Sequence, residues 1–149
     1  MEHSANNLNE GFLSKYSGTL IGLRHWSDWD DLMKYLDSRN QGQWYVYYLN
    51  ATCPQMPLSS ATFSKFIEEM DKLLHADHDE SYLGIIYVDN QKCPELIKIY
   101  DPNNLGSSCG CSGKNILPGW IISLDRPADL SVTTITPEGR NRWWRRILS

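Results

Sequence analysis

The chain reads as a single α+β domain: a mainly antiparallel sheet of about five or six strands, two larger helices packed on one face, and a short C-terminal helix. Three observations predict this. The length, 149 residues, fits one domain and leaves little for a second. Strand-like and helix-like segments succeed one another in the order β-α-β-α-β-β-β-β-α. The link between the strand candidates 82–88 and 96–100 is seven residues, too short for a parallel crossover, so that pair must be antiparallel.

Residues 1–18 are polar and read as a flexible segment ahead of a domain spanning 19–149. Thr19–Leu23 is a short strand weakened by Gly22. Ser27 has the pattern of a helix N-cap, with Asp30 three positions on, and Trp29, Leu32, Met33 and Leu36 fall on one helical face. Gln43–Asn50 is aromatic and β-branched almost throughout. Both its faces are apolar, which predicts either a central strand or one beneath a helix layer with its second face partly covered. Pro54 and Pro57 make 51–60 a loop, and Ser59 or Ser60 then caps a helix carrying Phe63, Phe66, Ile67, Met70, Leu73 and Leu74 to about Ala76. Asp101–Pro118 is an Asn/Gly/Ser/Cys-rich loop without periodicity. Strands follow at Gly119–Leu124 and, at an edge, Leu130–Thr136. The basic tail closes as a helix on which Trp144, Ile147 and Leu148 share a docking face.

Composition excludes several classes. No apolar run approaches the roughly 20 residues that span a bilayer as a helix, so no membrane association is expected. The formal charge of −4, from 14 basic and 18 acidic residues, makes the chain a poor polyanion binder. Arg140, Arg142, Arg145 and Arg146 with their tryptophans form the one basic patch, and packing of a terminal helix explains them better than a nucleic-acid grip. Met1–Gly11 lacks a basic start followed by an apolar stretch, so a cytoplasmic location with free thiols is expected.

The chemistry-bearing stretch is Asp101–Pro118. Loops this long inside a compact domain tend to be functional. Asp101, Asn103, Asn104, Ser107, Ser108 and Lys114 offer polar contacts, and Trp120 with tyrosines of adjoining strands offers apolar anchors. Cys109 and Cys111 could chelate a soft metal together, but two thiolates are too few for a closed zinc site, and small apolar fillers are the plainer reading. Gly113-Lys114 superficially resembles a phosphate cradle. The pattern fails because Ser108 replaces the first glycine, Asn115 follows the lysine, and Pro118 stands where a helix should run. His75 and His78 share a helix face beside carboxylates, as a divalent site requires, although cationic side chains at a helix C-terminus need no metal to explain them.

No nucleophile elbow, His-Glu-x-x-His run, dinucleotide fingerprint or paired-carboxylate motif is present. The expected function is therefore a small binding or accessory module that recognises a protein or small ligand through Asp101–Pro118, with no cofactor. The alternatives are a thiol or metal protein built on Cys109 and Cys111, and an enzyme whose scattered site draws on His25, Asp101 or His78.

Overall fold

A computed structural model describes residues 10–105, 117–130 and 138–149. Five strands form one antiparallel sheet: β1 (Ile21–Gly22), β2 (Tyr45–Tyr48), β3 (Ile86–Val88), β4 (Leu96–Ile99) and β5 (Trp120–Ser123). Their spatial order is β1-β3-β4-β5-β2, which puts β4 at the centre. Helices α1 (10–16), α2 (Trp26–Ser38), α3 (Ser60–Asp77), α4 (Pro102–Leu105) and α5 (Glu138–Leu148) complete the described chain. The α+β class, the single sheet and its antiparallel pairing agree with the sequence reading. The expected sixth strand falls on 130–136, of which 131–136 lie outside the described residues.

Strand alternation sorts the sheet into two faces. Val46, Tyr48, Ile97, Ile99, Trp120 and Ile122 meet Trp29, Leu32 and Leu36 of α2, Phe63, Phe66, Met70 and Leu74 of α3, and Trp143, Trp144 and Ile147 of α5. Tyr47, Leu49, Leu96 and Ile121 point the other way and bury Phe12 of α1. Removing these side chains from water is the main term favouring the fold, at about 1.5–3 kcal/mol for each fully buried large one.

The differences from the sequence reading have local causes. Residues 10–16 were expected to be loose, yet they form a helix, because Phe12 and Tyr16 at an i,i+4 spacing stack at 5.9 Å and give it an apolar face to dock. Helix α2 begins at Trp26, with His25 and not Ser27 at its N-cap. The Asp28 carboxylate does the capping by accepting from the backbone N–H of His25 at 3.0 Å. Strand β2 ends the sheet among the described residues, and its second apolar face is explained by α1 and the 128–130 segment. On α5 the buried face is Trp143, Trp144 and Ile147, whereas Leu148 is 47% exposed.

Helix α3 starts where the sequence places it. Ser59 Oγ accepts from Thr62 N at 3.2 Å and satisfies one of the free donors of the first turn. The β3–β4 turn is held by two side chains: Asn90 Oδ1 accepts from Lys92 N and Cys93 N, and Asp89 Oδ1 from Glu95 N and Leu96 N.

Candidate functional site

The candidate site is the end of the sheet where β4 gives way to the 101–118 segment. That segment leaves and re-enters the sheet at neighbouring points. Gly119 N donates to Ile99 O at 2.9 Å, and a Cβ on Gly119 would lie 3.3 Å from the Asp101 Cβ. Side chains as well as backbone fix this root. Asp101 is 3% exposed, and both its oxygens bind the Arg140 guanidinium of α5: Nε to Oδ2 at 2.9 Å, Nη2 to Oδ1 at 3.1 Å. Nη2 also donates to Asp77 at the end of α3. Burial works against the Arg140 charge, but its bonds to Asp101 and Asp77 outweigh that and raise its pKa above the ordinary value. Three elements distant in sequence therefore meet at one charged knot.

Asp101 has a further task. Its Oδ1 accepts from Asn103 N at 2.9 Å and starts the single turn α4, where the sequence suggested irregular loop. Asp101 is thus a structural anion, while Asn103 is exposed beyond it. Trp120 is a correction: it is 0% exposed, packed against Tyr48 at 5.7 Å and Trp143 at 5.4 Å, and so presents no surface to a partner. Alternation on β5 explains this, because Trp120 shares the helix-covered face with Ile122. Ser107, Ser108, Cys109, Cys111 and Lys114 lie outside the described residues, as does the side chain of Asn104.

The histidines come together, but each is engaged. His75 stacks on Trp26 at 4.3 Å and approaches Asp71 at 3.2 Å. His78 lies 6.0 Å from the same indole, and its Nε2 is 2.7 Å from Leu83 O and 3.1 Å from Tyr82 O, so as a donor it ties the helix end to the following loop. Among the described residues no group of three or more His, Cys, Asp or Glu side chains could hold a metal ion. His25 is exposed at the α2 N-cap. Cys53 and Cys93 are free thiols; burial, then the nearby Asp129, pushes the Cys53 thiol up, so it is a poor nucleophile.

One cluster was not singled out by the sequence. On the sheet face away from α2 and α3, Lys98 of β4 lies among tyrosines, its ammonium 3.8 Å from the ring centre of Tyr16. Tyr87 is the register partner of Lys98 on β3, and its ring meets that of Tyr100 edge-on at 5.6 Å. Gly22 makes room for it, since a Cβ there would come within 2.9 Å of Tyr87 Cε2. Burial lowers the Lys98 pKa and raises those of Tyr16 and Tyr100, with Tyr16 and Tyr87 adding to the rise at Tyr100. The signal was present as a lone lysine between Ile97 and Ile99 in an apolar strand, with Tyr100 two residues on.

Concavities among the described residues lie elsewhere. One, of about 470 Å³, runs between α2 and α3 over Met33, Phe63 and Ile67, with Asp30, Asp37 and Glu68 at its rim. Another, of about 250 Å³, lies between α2 and the β3–β4 turn and includes Asp28, Asp31, Tyr35 and Lys92. Neither contains a site residue singled out from the sequence.

Comparison with protein-family models gave no match, and comparisons with curated proteins and with solved structures gave none either.

Proposed function

We propose that the chain is a small cytoplasmic binding module that recognises a protein or small ligand through the 101–118 segment. The observation that carries this reading is the root of that segment: the buried Asp101–Arg140 pair fixes its start against α3 and α5, and the bond from Gly119 N to Ile99 O holds its end to the sheet. Rigid roots favour binding because a displayed segment with fixed ends loses less entropy when its partner orders it. Asn103, Asn104, Ser107, Ser108 and Lys114 are the proposed polar contacts. Trp120 is withdrawn from that set by its burial.

The test compares the full chain with a variant in which 106–116 are replaced by a short Gly/Ser linker. Affinity capture from a cytosolic extract and a thermal-shift screen against small metabolites should each be run on both proteins. The intact chain should retain at least one partner or ligand that the shortened chain loses while keeping its far-UV spectrum. Identical binding by the two proteins would remove the segment from the function.

A further inference from the structure

We propose that Lys98, Tyr16, Tyr87 and Tyr100 form a binding site for an anionic group carried on a flat apolar body, the chemistry of an aromatic carboxylate or an aryl phosphate ester. The site stands on β3, β4 and α1 and so does not depend on the 101–118 segment; either reading can fail without the other.

Lys98 carries a charge that nothing in its described surroundings neutralises. Its ammonium stands on a half-buried sheet face, and among the described residues it has an aromatic ring and no carboxylate. The nearby acids are already engaged: Glu95 and Asp125 both bind Lys15, and Asp89 accepts from the backbone of the β3–β4 turn. A partly desolvated cation without a counter-ion attracts an anion more strongly than an exposed lysine does, because less water screens the pair. The tyrosine ring stabilises the charge but leaves the remaining ammonium protons without an anionic acceptor.

Tyr16, Tyr87 and Tyr100 are each half-buried, so each keeps some surface in contact with solvent; the Tyr16 ring lies against the amine, Tyr87 stands opposite Lys98 in the register, and Tyr100 meets Tyr87. Phenol rings set edge to face leave apolar surface on which a planar group can stack, and the Tyr16 and Tyr100 hydroxyls, whose pKa values burial raises, can donate to its oxygens. An anion alone would use the amine and waste the rings. A neutral aromatic would use the rings and leave the amine unmatched.

The test uses the 15N-labelled full chain and four probes: benzoate, 4-nitrophenyl phosphate, neutral benzamide and inorganic phosphate. At least one aryl anion should shift the amide signals of Tyr87, Lys98 and Tyr100 saturably in the millimolar range. Benzamide and inorganic phosphate should each bind roughly ten-fold or more weakly than the matching aryl anion. Lys98→Met should lose the aryl anion to a similar degree, and Lys98→Arg should keep it within a few-fold. Absence of saturable shifts with both aryl anions overturns the proposal, as does benzamide binding as tightly as benzoate. Inorganic phosphate binding as tightly as its aryl ester overturns the role of the rings. The probe comparisons need only the unmodified chain, so they decide the matter even if Lys98→Met fails to fold.

Discussion

Arg140→Met is the substitution that most directly probes the root of the 101–118 segment. Methionine keeps much of the buried stem of arginine but removes the guanidinium, which leaves the Asp101 carboxylate, 3% exposed, with only Asn103 N to bond it among the described residues. Breaking a buried ion pair by deleting one partner costs about 3–5 kcal/mol, since the remaining charge has no compensation. The lost link to Asp77, whose side chain is 31% exposed, adds at most about 1 kcal/mol. The expected destabilisation is therefore at least ~3 kcal/mol, which a domain of 5–15 kcal/mol total stability can survive. At a urea slope of about 2 kcal/mol/M this moves the unfolding midpoint down by roughly 1.5 M or more. Asp101→Asn should cost less, because Arg140 retains Asp77. The double variant should cost less than the two single effects added together, because the carboxylate that Arg140 neutralises is absent from it. Circular dichroism in urea measures all three. A midpoint shift below about 0.5 M for Arg140→Met, or strict additivity in the double variant, would refute the reasoning.

Three further outcomes follow from the same structure. Burial raises the Tyr16, Tyr47 and Tyr100 hydroxyls above the ordinary value near 10, so the stability they contribute is complete below that pH and is lost as pH climbs through their raised values. Lys98, lowered by burial, acts with the opposite sign, its penalty disappearing as pH passes its lowered value. Absorbance titration at 295 nm should show part of the eight tyrosines ionising later in the folded chain than in urea; coincident curves would count against their burial. Ser59→Ala removes the acceptor for Thr62 N and should cost about 1 kcal/mol in the same urea assay. Gly22→Val places side-chain atoms where Tyr87 lies and should displace that ring, visible as shifted Tyr87 and Tyr100 signals, with a loss of about 1–3 kcal/mol.

How much of this was legible in the sequence depended on how local the determining physics is. Helix α3 was readable to within a residue or two because its apolar spacing, its Ser59 cap and the preceding prolines all act within a few positions. The 89–95 connection was readable because its shortness alone forbids a parallel crossover. Helix α1 was not, since seven residues are too few to hold a helix on their own, and only the second face of the sheet gives Phe12 somewhere to go. The site divides the same way. Asp101 was singled out as a contact residue, but its conversion into a structural anion depends on Arg140, separated from it by 39 positions. An aromatic beside a loop suggests an anchor at Trp120; only strand register decides that it faces Tyr48 and not solvent. Lys98 shows the converse. Alternation in 96–100 already sets the lysine and Tyr100 on one face, and what sequence alone could not supply was the pairing of β3 that brings Tyr87 alongside and the docking of α1 that lays Tyr16 across the amine. Chemistry that depends on one element could be read directly, whereas chemistry that depends on three required the fold.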